Sequence, residues 1–234
     1  MLDQQGMKAL AGKRAVETLV SSGMKLGLGT GSTAIPAVEH IGALLAAGKL
    51  RGILAVPTSF QTSMVCEQWG IPLYTLNSKE INGSLDLTID GADQVDLRNY
   101  CTKGGGGALL LEKIIAHASS AYAVVVDESK LAGDLAVTVP LPVEVVSEAR
   151  IPVTRALEAL GAEVILREAV RKAGPVITEH GNLLLDIRFK QPPDSAALEA
   201  ELNGIPGIVE NGLFTRLRPK VFIARRDGTV EIRD

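Results

Sequence analysis

Three short clusters in the first half of the chain hold the residue types that phosphate binding and proton transfer require. They are Gly29-Thr30-Gly31-Ser32-Thr33, Asp90-Gly91-Ala92-Asp93, and Lys103-Gly104-Gly105-Gly106-Gly107 with Glu112 close behind. Each follows an apolar, strand-like run, the place where open α/β sheets carry their binding residues. Together they supply an anion cradle, two carboxylates, a lysine and a candidate general base. That is the equipment of an enzyme acting on a small phosphorylated molecule.

In the first cluster the backbone N–H groups and the positive end of the following helix can face an anion, and Thr30, Ser32 and Thr33 add hydroxyls. No Lys-Ser or Lys-Thr pair closes the run as in a Walker loop, and the third glycine of a dinucleotide fingerprint is missing. Nucleoside triphosphates and NAD are therefore poor candidates. Taken alone, the run reads equally well as a tight turn with hydroxyl helix caps.

Asp90 and Asp93 sit at the carboxyl end of an apolar strand, with Gly91 and Ala92 leaving room for a ligand. Like charges disfavour joint ionisation, so one carboxylate can exchange protons while the other accepts hydrogen bonds from sugar hydroxyls. Two other readings stand beside this one: a local turn bonding its own N–H groups, and a carboxylate-only magnesium site. His40, His117 and His180 form no spaced cluster with these aspartates, which weakens the metal reading.

Four successive glycines weaken any regular element, but they let bare N–H groups approach an oxyanion closely, with Lys103 adding charge. Glu112 lies in the first turns of the apolar helix that follows and can project toward the same pocket. In isolation Lys103 reads as a surface lysine and Glu112 as a solvent-facing partner of a neighbouring lysine.

These motifs, in this order and at these spacings, resemble ribose-5-phosphate isomerases of the type A family, and the resemblance runs over nearly the whole chain. It implies an aldose-ketose isomerase of the non-oxidative pentose phosphate pathway that works without metal or organic cofactor. By resemblance, Thr30, Gly31, Ser32 and Thr33 bind substrate. Asp90, Gly91, Ala92 and Asp93 hold the sugar, with Asp90 taking part in ring opening. Lys103, Gly104, Gly105 and Gly106 stabilise negative charge on the sugar oxygens, and Glu112 is the proton acceptor. Lys130, in Asp127-Glu128-Ser129-Lys130, matches a further substrate-binding lysine and is a phosphate partner. The family also implies a homodimer or a tetramer. One departure stands out. Where the family usually carries a helix lysine near the phosphate, this chain has Ala9, with Lys8 one residue and so about 100° of helix rotation away, which leaves the role of Lys8 open.

Two other functions fit parts of the pattern: a non-catalytic sugar-phosphate sensor, and a related amino-sugar phosphate deaminase or CoA transferase. A sensor that governs transcription would need a DNA-binding segment, and no basic helix-turn-helix is visible. The joint presence of Asp90, Asp93, Lys103 and Glu112 favours the isomerase.

The elements that must position these residues can be read from apolar spacing. Residues 7–20 repeat at helical spacing and a short strand follows at 26–28. A second helix has Pro36 in its first turn and Ile35, Val38 and Ile41 on one face. Strands are expected at 53–56, 71–76, 85–89 and 122–126. Thr58 and Gln61 form a capping-box pattern for a helix ending near Trp69-Gly70. Strands alternating with helices predict a Rossmann-like α/β domain, a mostly parallel sheet with helices on both faces. Beyond 140–142 the expected order is strand 143–146, helix 154–160, strands 163–167 and 183–189, helix 195–202 and strand 207–210. That β-α-β-β-α-β order is the ferredoxin-like α+β plan. A hairpin around Asp227-Gly228 closes the chain. The resemblance returns this tail to the first domain, giving a catalytic domain of 1–136 and 213–234 with 137–212 inserted.

Composition narrows the partners. The 234 residues carry a formal net charge of −3 with no basic block, against nucleic acid as a partner, which needs a concentrated lysine and arginine surface. Cys66 and Cys101 have no close cysteine or histidine neighbours, so neither zinc nor a disulfide scaffold is expected and a reducing cytoplasm is the simplest setting. No apolar run approaches the roughly 18 residues of a membrane span, and no membrane partner is expected.

Overall fold

Asp3 opens the first helix by accepting the Gly6 N–H on its carboxylate at 2.7 Å. The computed structural model describes residues 1–234. Its elements run α1 (Gln4–Leu19), β1 (Lys25–Leu28), α2 (Gly31–Ala46), β2 (Leu54–Pro57), α3 (Phe60–Gln68), β3 (Leu85–Gly91), β4 (Gln94–Val95), β5 (Cys101–Thr102), α4 (Leu109–His117) and β6 (Ser119–Asp127). Then follow β7 (Leu141–Val145), α5 (Arg150–Ala159), β8 (Ala162–Leu166), β9 (Leu183–Phe189), α6 (Ser195–Leu202), β10 (Ile208–Asn211), β11 (Leu213–Phe214), β12 (Lys220–Ala224) and β13 (Val230–Arg233).

By packing, Met1–Ala92, Leu111–Leu131 and Leu217–Asp234 form one unit, and Asp93–Leu110 with Ala132–Arg216 form a second. The first unit holds a six-stranded sheet in the order β13-β12-β6-β3-β1-β2, parallel except for the β12–β13 hairpin. Its inner strands are apolar at successive positions, as in Val124-Val125-Val126, because helices cover both faces. On one face Met7, Ala11, Ala15, Ala37 and Ile41 pack against Leu26, Leu28, Leu87, Ile89 and Phe222. On the other face Ile115 of α4 clusters with Val56 and Leu85.

The chain leaves β1 for β2 on one side and later places β3 on the other side of β1. That reversal is the topological switch point of an open sheet, where a crevice forms outside the strand carboxyl ends. The first cluster follows β1 at that crevice, and Asp90 and Gly91 of the second end β3 beside it.

Two sequence expectations change here. Residues 71–76 form no strand but a single bridge, Leu73 to Ala55. Pro72 has no N–H to give to a ladder, so it can only accept, taking the Ala55 N–H at 3.0 Å. The cap of α3 is Ser59, not Thr58: the Ser59 hydroxyl accepts the Thr62 N–H at 3.2 Å, while the Thr58 hydroxyl donates to the Leu28 carbonyl at 3.1 Å.

The second unit holds the antiparallel sheet β10-β7-β9-β8, with α5 and α6 at the places the β-α-β-β-α-β order assigns them. Leu183, Leu185, Ile187 and Phe189 of β9 pack with Val153 and Leu157 of α5 and Leu198 and Leu202 of α6. Period-two alternation sends Leu184 and Asp186 to the opposite face. Against that face lies the glycine run: a Cβ on Gly107 would come 3.3 Å from Leu184 Cδ1, and one on Gly104 3.2 Å from Pro142 Cγ. A small sheet in the order β11-β5-β4 adjoins it, built of two-residue strands too short to show alternation in the sequence. No helix is long and apolar enough to cross a membrane.

Candidate active site

In the first unit the loop after β1 is fixed by a buried carboxylate. Asp90 is fully buried, and its Oδ1 accepts the N–H groups of Thr30 (3.1 Å) and Gly91 (2.7 Å). Only glycine fits at position 29, because a Cβ there would stand 2.1 Å from Asp90 Oδ1 and 2.5 Å from its Cα. The loop after β1 and the end of β3 are thus one rigid assembly.

Thr30 is the N-cap residue of α2, but its hydroxyl makes no capping bond. It turns instead into a hydroxyl cluster with Thr58 (2.6 Å), Ser59 (2.7 Å) and Thr62 (3.2 Å). The Thr30 hydroxyl locks the loop to the start of α3, and Thr33 is buried too. Gly31 has φ +87° and gives its N–H to Gln61 Oε1 at 3.1 Å. Ser32 is exposed, and its Oγ accepts the Lys8 ammonium at 2.9 Å. First-turn N–H groups have no carbonyl within their own helix, so the start of α2, with Lys8 beside it, combines donors, positive dipole and a cation. Anions are held at such sites.

Also in the first unit, Glu112 is 5% exposed in the first turn of α4. This is not the solvent-facing glutamate that the residue suggests in isolation. Lys130 ends the 3-10 turn after β6 and is half-exposed, the turn being set by Asp127 Oδ1 accepting the Ser129 N–H at 3.0 Å. Gly91 and Ala92 are buried at the end of β3.

The remaining predicted residues belong to the second unit. Asp93 donates its N–H to the Thr102 carbonyl (2.8 Å) and accepts the Gly105 N–H on Oδ2 (2.8 Å). Lys103 is 2% exposed, with its N–H on the Gly212 carbonyl (2.9 Å) and its ammonium 5.6 Å from the centre of the Phe214 ring. It is no surface lysine. Gly104 and Gly107 have φ of +96° and +84°, a region that favours glycine. A turn closes between them through the Gly107 N–H to Gly104 carbonyl bond of 2.9 Å, leaving Gly105 and Gly106 exposed.

The sequence reading left the role of Lys8 open and missed the roles of Gln61 and Arg167. Lys8 lies one residue from the expected helix position yet reaches Ser32. Gln61 was read as half of a capping box and instead orients Gly31. Arg167 lies far along the chain from the glycine run, with its Nη1 on the carbonyls of Gly104 (3.0 Å) and Gly105 (3.1 Å). Only the Lys8 contact had a local signal, its nearness to the family's helix position.

Within the first unit, the loop after β1, the buried aspartate tied to it and the parallel sheet that carries both place the chain among α/β proteins. A sequence model described as ribose 5-phosphate isomerase A (phosphoriboisomerase A) matches residues 54–228. The ribose-5-phosphate isomerase A of Treponema pallidum is 51% identical, over 99% of this chain and 94% of that protein. Among solved structures, ribose 5-phosphate isomerase A from Methanocaldococcus jannaschii superposes with a TM-score of 0.91 at 40% identity, covering 97% of this chain and 98% of that one. A D-ribose-5-phosphate isomerase in complex with phospho-erythronic acid gives 0.94 at 36% identity, with both chains fully covered. The chain belongs to the ribose 5-phosphate isomerase A family and is an aldose-ketose isomerase.

Proposed function

We propose that this isomerase interconverts D-ribose 5-phosphate and D-ribulose 5-phosphate with the residues named from the sequence, and that Lys8 joins them. The observation that carries the reading is the Lys8 ammonium on Ser32 Oγ at the start of α2, a cation beside the first turn of a helix where a phosphate would sit. Thr30 to Thr33, with Lys8 and Lys130, hold the phosphate. Asp90 and Asp93 hold the sugar hydroxyls, and Asp90 assists ring opening by relaying a proton from the anomeric hydroxyl toward the ring oxygen.

In the open-chain aldose, Glu112 takes the proton from C2, and the electron pair of that C–H bond forms the C1–C2 double bond of a cis-enediolate. Glu112 then returns its proton to C1, while the O2 hydroxyl proton passes to O1, leaving the ketone at C2. Lys103 and the N–H groups of the glycine turn hold the negative charge that develops on the two oxygens. General-base help gives about 10²–10⁴-fold, and removing a single oxyanion donor costs about 10²–10³-fold. Glu112 alone is therefore insufficient.

The structural relative in complex with phospho-erythronic acid supports a small phosphorylated sugar derivative as the ligand class for this chain. In domain terms we read residues 1–136 and 213–234 as the catalytic domain and 137–212 as an insertion. The protein is read as a cytoplasmic homodimer, with the tetramer as the other state the family implies. The test is conversion of ribose 5-phosphate by chelator-treated protein, with phospho-erythronic acid as competitive inhibitor. Absence of conversion despite binding of the sugar phosphate would favour the sensor reading.

A further inference from the structure

The glycine turn is held by a side chain that the reaction scheme does not use. Arg167 follows the last residue of β8 and gives its N–H to the Leu184 carbonyl at 2.9 Å. Ile165 is directly opposite Asp186 of β9, so Arg167, two residues on, shares that face of the sheet. Its guanidinium grips the Asp186 carboxylate with Nε (2.8 Å) and Nη2 (2.5 Å), and both side chains are largely buried, at 17% and 18% exposure. The remaining nitrogen, Nη1, donates to the carbonyls of Gly104 and Gly105.

Peptide planarity converts that grip into an orientation. In a trans peptide the C=O and N–H point in opposite directions. Holding the Gly104 carbonyl therefore aims the Gly105 N–H away from Arg167, and it is found on Asp93 Oδ2. Holding the Gly105 carbonyl likewise aims the Gly106 N–H away from the guanidinium, at a residue where nothing stands within 4 Å of an added Cβ. Glycines have no side chains to fix these planes, so a free turn could present carbonyl oxygens where donors are needed. A cation on both carbonyls also polarises the amides and strengthens their N–H groups as donors.

We infer that Arg167, braced by Asp186, is a positioning residue that orients the Gly105 and Gly106 peptides, so that Asp93 is held and the Gly106 N–H faces the developing oxyanion. This rests on the functional reading above. Lysine cannot replace it, because the role needs a rigid fork that bonds a carboxylate on one edge and two carbonyls on another.

The experiment compares wild type with Arg167→Gln, Arg167→Lys and Asp186→Asn, using ribose 5-phosphate turnover and two ligands. Phospho-erythronic acid carries charge where the enediolate would, and ribitol 5-phosphate has neither carbonyl nor carboxylate. In Arg167→Gln and Arg167→Lys, kcat should fall about 10- to 100-fold, less than the 10²–10³-fold cost of deleting a donor outright. KM and ribitol 5-phosphate binding should stay within about twofold of wild type while the acid loses affinity in parallel with kcat. Asp186→Asn should show a smaller loss of the same kind. Full-stoichiometry alditol binding establishes that the variants are folded. Should Arg167→Gln fail to fold, the Lys and Asn variants decide. Unchanged kcat in folded variants, or equal weakening of acid and alditol, would overturn the inference. Failure of the underlying reading looks different: wild type would not favour the acid over the alditol, or Glu112→Gln would retain full activity.

Discussion

At the scale of single residues, the account turns on how little freedom the cradle has. Asp90 is wedged against Gly29 and bonded to the Thr30 N–H, so Gly29→Ala must push the carboxylate or the strand aside. We expect a stability loss of about 1–3 kcal/mol, the usual cost of overpacking, with a lowered melting temperature and a loss of turnover larger than the stability change explains. Lys8 tests the phosphate assignment. Lys8→Ala should raise KM for ribose 5-phosphate about tenfold with kcat nearly unchanged, as expected for an exposed charge-assisted bond made equally in ground and transition states. A fall in kcat with KM unchanged would move Lys8 from binding to chemistry. Asp90, Lys103 and Glu112 stand out in the sequence through the order of their motifs and the family resemblance, but the burial of Lys103 and Glu112 was not legible, since in isolation both read as surface residues. The position of Lys8 gave a signal but the direction of its side chain did not, and the hold of Arg167, a contact about sixty positions away, left no local pattern.

At the scale of elements, Ser59 has two tasks: it caps α3 and bonds the hydroxyl of Thr30. Ser59→Ala should cost about 1 kcal/mol of stability, as loss of an N-cap does, measured by denaturant unfolding. Thr58→Ala should leave the helix start intact. The periodic elements of both units were readable from apolar spacing, down to the bounds of α6. What failed was short or punctuated: 71–76, where Pro72 cannot donate to a ladder, and β4, β5 and β11, whose two-residue strands carry too few positions to alternate. The capping box misled because Thr58 and Ser59 are equally good caps by type. Which one caps depends on β2 ending at Pro57, which carries Thr58 onto the Leu28 carbonyl.

At the scale of the whole molecule, stability should fall in alkali through Cys66. Burial, with a smaller contribution from Glu67, pushes its thiol from 9.0 up to about 12. Above pH 9 the unfolded chain releases this proton while the folded chain keeps it, so the native state binds more protons and stability declines as pH rises through that window. Cys66→Ala should flatten the decline seen in melting temperatures between pH 8 and pH 11, and the native thiol should resist alkylation until unfolding. The same molecule is read as a homodimer, which light scattering checks directly. The most direct test of the whole account is conversion of ribose 5-phosphate in deuterated water after chelator treatment, comparing the native chain with Glu112→Gln. The account predicts conversion without added metal, solvent deuterium at C1 of the ribulose 5-phosphate, and loss of about 10²–10⁴-fold in the variant. Conversion by Glu112→Gln at the native rate, or conversion by the native chain only with added metal, would contradict it.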